Sequence, residues 1–253
     1  MLPAKQPGAA HPLDLLVRKL SLSVPLDEDV TAALLALPHV VRPIAPGDYV
    51  IREGERPTHS CILVSGFLFR QKIATDGGRQ IIGVNVPGEA VDFQHLYLDV
   101  ADHNIQALTR AEIACIPRAA LQALIEAHPP VARAAIVATL VEASIFREWL
   151  LNIGRRDARA RIAHLLCEFA TRLEALHLTG TYGYELPMTQ EQLGDALGLT
   201  PVHINRTLKG LEADGLITRT RRHIAFPDWA RLREVGDFDE RYLHVGVQGG
   251  QPN

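Results

Sequence analysis

The chain has few cysteines, few aromatic residues and no long apolar run, and each shortage excludes a class of protein. Its 253 residues include three cysteines, with no C-x-x-C pair and no Cys/His cluster at zinc or iron–sulfur spacing. No apolar run approaches the roughly 20 residues that cross a bilayer. Residues 1–12 contain three prolines and no signal-peptide core. We therefore expect a cytoplasmic protein of about two domains, with a disordered leader at 1–12 and with no metal or other cofactor.

The three cysteines lie far apart in the sequence. Cys61, Cys115 and Cys167 each have apolar neighbours. This pattern predicts buried free thiols that act as small hydrophobic side chains. A redox-sensing role is the alternative.

Charge is distributed unevenly along the chain. The net charge is −3, yet residues 154–233 contain 12 Lys/Arg and 9 Asp/Glu, a net charge of +3 that leaves −6 for the remainder. A basic segment in an acidic chain is typical of a region that binds phosphate.

The first half of the chain is predicted to be rich in strands. Leucines at helical spacing in 13–22 and 27–37 predict two short helices. From Val40, short apolar stretches alternate with glycine turns, which is typical of a compact antiparallel sandwich or barrel. Asp76-Gly77-Gly78 predicts a tight hairpin. The predicted strands lie at 49–51, 61–64, 67–69, 80–84, 105–108 and 112–116.

Arg118–Ala127 is predicted to form a short helix, which ends at the break His128-Pro129-Pro130. A long helix is predicted to follow. It runs from about Val131 to Ile153 and carries apolar residues at intervals of 4, 3, 7 and 3, with Phe146 and Trp149 beside them. We interpret this face as a dimer interface; packing on the chain's own sandwich is the alternative. Gly154, at the junction with the next helix, is a candidate hinge. The predicted interface residues are Ile136, Leu140, Ala143, Leu150 and Ile153.

After a further amphipathic helix at 157–176, two short helices separated by a glycine-containing turn are predicted. Thr189, with Gln192 three residues later, is a capping box, and Gly198 ends that helix. Thr200-Pro201 begins the next helix with a hydroxyl cap and a proline at its first position. The pair is a helix-turn-helix, with Gly194 allowing its helices to approach closely.

The second helix of this pair is predicted to enter the DNA major groove. Arg206 can donate two hydrogen bonds to a guanine, His203 can contact a base edge, and Val202 can pack on a thymine methyl. The following segment, Leu216–Phe226, predicts two strands joined by a basic turn, a wing that contacts phosphates. The candidate DNA-binding residues are Thr189, Gln190, Thr200, Pro201, Val202, His203, Asn205, Arg206, Lys209, Arg219, Arg221 and Arg222.

Over 40–243 the chain resembles the Crp/Fnr family of bacterial transcription regulators. The resemblance is strongest in the segments 154–163 and 199–208, with Asp228-Trp229, Phe238 and Tyr242-Leu243 matching a subgroup's closing helix. It implies an α+β fold with a β-roll sensor, a dimerisation helix and a C-terminal winged helix. It also implies a homodimer that binds a two-fold symmetric DNA site and acts with RNA polymerase.

Departures from the family pattern concern the effector, which the sequence leaves unknown. Gly88-Glu89 matches the start of the cyclic-nucleotide phosphate site, but Asp102 stands where that site has an arginine, so we expect no usual cyclic-AMP binding. There is no cysteine before Cys61 for an iron–sulfur cluster, and His95 and His103 are interpreted as core or surface residues rather than haem ligands. The family's glutamate four residues before Arg206 is Val202 here.

Two alternatives to a transcription regulator remain: a cyclic-nucleotide-responsive module without DNA binding, and a cupin-like metal enzyme. The first has no use for the helix-turn-helix, and the second requires a His-x-His motif that the sequence lacks. The predicted domains are the roll at 13–128, the dimerisation helix at 129–154, the DNA-binding domain at 155–235 and a tail at 236–253. No catalytic residues and no membrane contact are predicted.

Overall fold

The computed structural model describes residues 11–179 and 183–245, so the predicted leader falls almost entirely outside the described residues. The chain divides into two compact units. Unit 1 contains residues 11–68 and Asn85–Thr139, and unit 2 contains Phe69–Val84 and Leu140–Val245. This division differs from the boundaries drawn from the sequence, because it assigns the hairpin 69–84 to unit 2 and falls inside the long helix.

The helices of unit 1 pack through the leucines whose spacing predicted them. They are α1 (Asp14–Ser21), α2 (Glu28–Leu35) and α3 (Arg118–Ala127), followed by the first part of α4 (Pro129–Arg155). Asp27 begins α2 by accepting a hydrogen bond from the Val30 amide at 2.8 Å. Leu13, Leu16 and Leu34 are fully buried in one apolar cluster with residues of α3 and α4.

An antiparallel sheet forms the other part of unit 1. Its strands are β1 (Val40–Ile44), β3 (His59–Ser65) and β7 (Ala111–Pro117), with β7 in the centre. Cys115 on β7 lies opposite Val40 of β1 and Cys61 of β3. A second pairing joins β2 (Tyr49–Ile51) to β6 (Asn104–Ala107). The strand β1 was not predicted, since Pro43 interrupts its sequence pattern.

The hairpin of β4 (Leu68–Ile73) and β5 (Arg79–Asn85) belongs to unit 2 except for its end residues Leu68 and Asn85. Its turn is the predicted one: Gly77 has a φ of 85°, and the Gly78 amide donates to Asp76 Oδ1 at 2.8 Å. A positive φ is where glycine costs least. The Asp-Gly-Gly prediction is therefore confirmed.

The long helix α4 extends further than the sequence indicated. Pro129 and Pro130 lie in its first turn, where an amide proton is not needed, rather than only separating it from α3. At its other end the helix continues through Gly154 to Arg155. A side-chain Cβ at Gly154 would meet no atom within 4 Å.

The rest of unit 2 is a helical domain with a small sheet. The helix α5 (Ala158–Glu174) begins at Asp157, whose carboxylate accepts from the Ala160 amide at 2.8 Å. It buries its apolar face, which consists of Ile162, Leu165, Leu166, Phe169 and Leu173. The remaining elements are β8 (Gly183–Glu185), α6 (Gln190–Leu197), α7 (Pro201–Ala213), β9 (Thr218–Thr220), β10 (His223–Ala225) and α8 (Trp229–Val235).

Residues 236–245, assigned to a tail from the sequence, pack on α5. His164 of α5 is buried, and its ring meets Phe238 at 5.2 Å and Tyr242 at 5.7 Å between ring centroids. Its Nδ1 lies 3.0 Å from the carbonyl oxygen of Gly236. A Cβ at Gly236 would lie 2.8 Å from the His164 amide nitrogen, so glycine permits this close packing.

We expect unit 2 to lose stability as the pH falls below about 6.5, the ordinary pKa of histidine. Burial, and then the positive charge of Arg156, lower the pKa of His164, while Glu168 and Glu148 partly oppose this. The unfolded chain therefore binds a proton that the folded chain excludes. Urea unfolding between pH 7.5 and 5.5 measures the effect. The variant His164→Gln should be less stable at every pH but have a flatter pH dependence; parallel curves for the two proteins would contradict this.

Candidate nucleic-acid interface

The helix α6 begins and ends as its sequence predicts. The Thr189 hydroxyl accepts from the Gln192 amide at 3.2 Å, and Gln192 Oε1 accepts from the Thr189 amide at 2.8 Å. Gly198 ends the helix in the left-handed conformation, with a φ of 65°. The capping box and the glycine stop are therefore both confirmed.

The turn between α6 and α7 explains the glycine at position 194. A Cβ there would lie 2.4 Å from the carbonyl oxygen of Leu199, a distance that no side chain tolerates. The close approach predicted for Gly194 is therefore to the backbone of the turn, rather than to the second helix itself. Leu199 itself is only partly buried.

One face of α7 is fixed against the domain. The Thr200 hydroxyl accepts from the His203 amide at 3.3 Å, and Pro201 occupies the first turn. Ile204, Leu208 and Leu211 are buried, as are Leu193 and Leu197 of α6. Because these residues anchor α7 along its length, its opposite face is held in one orientation toward solvent.

The outward face of α7 carries the residues predicted to read DNA. Val202 is 80% exposed, Arg206 and Lys209 are exposed, and His203 and Asn205 are partly exposed. In the described part of the chain, neither Arg206 nor Lys209 forms an ion pair. Their charged groups are therefore available to a ligand, and the Arg206 guanidinium has the fork that matches two acceptors on a guanine edge.

The wing consists of β9, β10 and the turn between them, and β10 also pairs with β8. Arg221 lies at the exposed turn with a φ of 58°, and Arg222 donates to the Pro187 carbonyl at 2.9 Å. Arg219, predicted to contact phosphate, has its Nη2 2.9 Å from Glu212 Oε2, and its contact with phosphate stays a prediction. Hydrogen bonds from Arg219 also lower the pKa of Glu212.

The ion pair between Glu212 and Arg219 was not found by sequence reasoning. The Arg219 amide and guanidinium both donate to the Glu212 carboxylate, which joins the end of α7 to the first strand of the wing. The two residues are separated by a turn, so no helical or strand period links them. The one feature of the sequence that could have predicted this ion pair is the presence of opposite charges on either side of a short turn. Arg219 and Arg222 thus contact neighbouring groups of unit 2, whereas Arg221 lies at the exposed turn.

The proposed dimer face of α4 is largely uncovered in a single chain. Ile136, Leu140 and Leu150 are 60%, 62% and 74% exposed. Ala143 and Ile153 are partly buried, and a Cβ at Gly198 would lie 3.7 Å from Ile153, so Ile153 packs near the end of α6. Trp149, placed beside this face from the sequence, is buried and donates from Nε1 to Glu168 at 2.9 Å.

The residues that stand at cyclic-nucleotide positions in the family already have partners within unit 1. Glu89 Oε1 lies 3.2 Å from Lys19 Nζ, and Asp102 Oδ1 lies 2.7 Å from His103 Nδ1. His95 and His103 are both buried, as expected for core residues, with ring centroids 6.4 Å apart.

Residues 11–179 and 183–245 contain neither a candidate metal site nor a helix that could span a membrane. No group of three or more His, Cys, Asp or Glu side chains is placed to hold a metal ion. No helix there is both long and apolar enough to cross a membrane.

Comparison with known proteins identifies both halves of the chain. The Crp-like helix-turn-helix domain matches residues 160–235, and the cyclic nucleotide-binding domain matches residues 41–128. The transcriptional activator protein FnrL of Cereibacter sphaeroides is 32% identical over 204 residues, covering 79% of this chain and 82% of the relative. The nitrogen fixation regulation protein FixK of Bradyrhizobium diazoefficiens is 29% identical over 191 residues, covering 75% and 78%.

Solved structures share the same fold. The structure of FixK2 from Bradyrhizobium japonicum has a TM-score of 0.71 and 24% identity, covering 79% of this chain and 98% of that one. A CooA mutant from Carboxydothermus hydrogenoformans has a TM-score of 0.65 and 15% identity, covering 90% and 97%. These two curated relatives are named as a transcriptional activator and a regulation protein, not as enzymes. The chain therefore belongs to the Crp/Fnr family of transcription regulators, with an N-terminal β-sheet domain of the cyclic nucleotide-binding type and a C-terminal helix-turn-helix domain that binds DNA.

Proposed function

We propose that the protein is a homodimer that binds a two-fold symmetric DNA site in the cytoplasm and regulates transcription through RNA polymerase. The observation that carries the proposal is the outward face of α7, where Arg206 and Lys209 are exposed on a helix that is anchored along its other face. A rigid helix with unpaired basic side chains suits the major groove, whose base edges distinguish all four base pairs. The cap hydroxyls of Thr189 and Thr200 hold backbone amides, so they support the helix starts that face phosphates.

The effector of the proposed regulator is a ligand other than cyclic AMP bound in the usual mode, or none. The absence of the phosphate-pairing arginine supports this, because Asp102 would repel a cyclic phosphate and holds His103 instead. Glu89 likewise faces Lys19.

Selection of binding sites from a random duplex library tests the proposal directly. The full-length protein without effector is used at physiological salt. We expect an inverted repeat whose half-site centres lie about one helical turn, roughly 10 bp, apart. Recovery of unrelated sequences would contradict sequence-specific recognition by the free dimer. In that case the affinity would be the same for every duplex and would vary only with the salt concentration.

Replacing Arg206 should remove recognition of one base pair in each half-site. We expect Arg206→Ala to weaken binding to the selected site by about 1–3 kcal/mol, or roughly 5- to 150-fold, for each half-site that loses its contact. Binding to a random duplex should change little. Fluorescence anisotropy with both duplexes measures the two affinities.

Arg221→Ala is the matched control, since it also removes one exposed guanidinium but from the wing turn. It should weaken binding to both duplexes by a similar factor and reduce the dependence of affinity on salt by about one phosphate contact for each protomer of the dimer. Equal losses on both duplexes for Arg206→Ala would exclude a base-reading role for Arg206.

Gly154 is proposed as a hinge between the dimer face of α4 and the DNA-binding domain. In this proposal α4 bends at Gly154 when DNA or an effector binds. Alanine favours a continuous helix over glycine by about 1 kcal/mol, and its Cβ has free space here. We therefore expect Gly154→Ala to lower DNA affinity by up to about fivefold while it stabilises the fold. The control Ser144→Ala changes helix propensity elsewhere on α4. Unchanged DNA affinity in Gly154→Ala would remove the support for a hinge.

A further inference from the structure

Two cysteines of unit 1 face each other across neighbouring strands. Cys61 of β3 and Cys115 of β7 are direct partners in the register, and their sulfur atoms lie 3.8 Å apart. Both cysteines are free and more than nine-tenths buried. They are separated by 54 positions, so their pairing is a property of the sheet and not of the sequence spacing.

The backbone hydrogen bonds show which kind of cross-strand pair this is. The Cys61 amide donates to Asp92 Oδ1 at 3.2 Å, and its carbonyl accepts from the Val91 amide at 2.8 Å. Both backbone groups of Cys61 therefore point away from β7, which makes Cys61 and Cys115 a non-hydrogen-bonded pair. The Cα atoms of such a pair are about 4.5 Å apart, within the range of about 4.4–6.8 Å that a disulfide spans.

The pair is reachable through a cavity of about 560 Å³. Both cysteines line it, together with Arg42, Val50, Arg56 and His59. The hydrogen bond from Cys61 and the nearby Arg42 guanidinium lower the pKa of Cys115 to about 7, although burial opposes them. The same hydrogen bond and burial raise the pKa of Cys61. Arg42 lies on β1, the strand that pairs directly with Cys115, so its guanidinium favours the charged form of this thiol. We therefore expect Cys115 to be the reactive thiolate of the pair.

We propose that Cys61 and Cys115 are a reversible two-electron oxidation site, which a small hydroperoxide entering this cavity converts to a cross-strand disulfide. The Cys115 thiolate attacks the peroxide oxygen: an S–O bond forms, the O–O bond breaks, and the leaving oxygen takes a proton to give water or an alcohol. The Cys61 sulfur then attacks the resulting sulfenic acid, and an S–S bond forms as the S–O bond breaks. Hydroxide leaves and takes the Cys61 proton as water, so two thiols are oxidised by two electrons and one peroxide is reduced by two.

Cys167 provides an internal control for this chemistry. It is fully buried in unit 2, and burial raises its pKa. It has no cysteine partner in the described residues and should stay reduced under conditions that oxidise the pair. Its oxidation alongside the pair would indicate unfolding or indiscriminate attack.

The test treats the reduced full-length protein with hydrogen peroxide and then unfolds it in urea, so that N-ethylmaleimide blocks every remaining thiol, the buried Cys167 included. Peptides are then mapped by mass spectrometry. We expect one labelled cysteine instead of three, loss of the mass of two hydrogen atoms, a linked peptide pair containing Cys61 and Cys115, and reversal by dithiothreitol. Cys61→Ser keeps a hydrogen-bond donor and should leave a sulfenic acid on Cys115 that dimedone traps. Cys115→Ser should prevent oxidation of Cys61.

The rate of disulfide formation shows whether the surroundings of the two cysteines promote the reaction or whether the thiols are merely close together. Arg42 is exposed, so Arg42→Ala should fold normally, slow disulfide formation at pH 7 and match the unmodified chain at pH 9, where the thiolate forms without the guanidinium. Three labelled cysteines after peroxide treatment, a disulfide between chains, or oxidation of Cys167 ahead of the pair would each overturn the proposal. None of these measurements depends on DNA binding.

Discussion

Placing acidic side chains on the exposed apolar face of α4 should convert the protein to monomers and remove its specific DNA binding. In Leu140→Glu with Leu150→Glu, both positions are more than three-fifths exposed in the single chain, so the protomer should still fold. Carboxylates that face each other across a dimer seam cost desolvation and repulsion. The mass in solution should fall from twice 27.8 kDa to 27.8 kDa. Affinity for the selected site should fall by about 100-fold or more, because two linked half-site contacts become one.

Tyr97→Glu is a matched control for this experiment. Tyr97 is 73% exposed and lies outside α4, so the change replaces one similarly exposed apolar side chain and adds one of the two negative charges that the double variant introduces. It should leave both the mass and the DNA affinity unchanged. If the double variant of α4 stayed dimeric, the chain would associate through another surface and the proposed seam would be wrong.

The helix-turn-helix could be predicted from the sequence because its signals are local. Thr189, Gln192, Gly198, Thr200 and Pro201 each act within three or four residues, and the structure places each of them in the predicted role. The hairpin at Asp76-Gly77-Gly78 was predictable for the same reason, since one residue required a positive φ. A motif whose determinants lie within one turn does not depend on the rest of the chain.

Partnerships across the fold could not be predicted in this way. The facing of Cys61 and Cys115 depends on the pairing of β3 with β7, and the Glu212–Arg219 ion pair depends on how the wing returns to α7. The α4 face illustrates the limit: its spacing predicted an apolar stripe, but only the fold shows that Trp149 turns inward. The spacing of apolar residues identifies which face of a helix is apolar, whereas tertiary packing decides which other elements that face contacts.

Glu168 is the clearest example of a residue whose importance only the fold reveals. It is fully buried on α5, where an acidic residue would ordinarily be excluded. Its carboxylate accepts from Trp149 Nε1 at 2.9 Å, from the Tyr242 hydroxyl at 2.9 Å and from Arg172 Nη1 at 3.0 Å. It thereby joins α4, α5 and residues 236–245, and Arg172 in turn donates to the Val84 carbonyl at 2.7 Å.

We expect Glu168→Leu to destabilise unit 2 by about 3–5 kcal/mol, because it removes the carboxylate while the Arg172 guanidinium stays buried. Tyr242→Phe is the control: it removes one hydrogen bond to the same carboxylate and should cost about 1 kcal/mol. Both tryptophans of the chain, Trp149 and Trp229, lie in unit 2, so their fluorescence during urea unfolding reports on this unit alone.

The double variant Glu168→Leu with Arg172→Met separates a charge effect from a loss of packing. If the cost of Glu168→Leu arises from the buried guanidinium, replacing that guanidinium with an apolar side chain of similar length should restore about half or more of the lost stability. A double variant that is as unstable as the sum of its single variants would show that the two side chains act independently. In that case the network would be a set of separate hydrogen bonds, each contributing to the stability of unit 2 independently of the others.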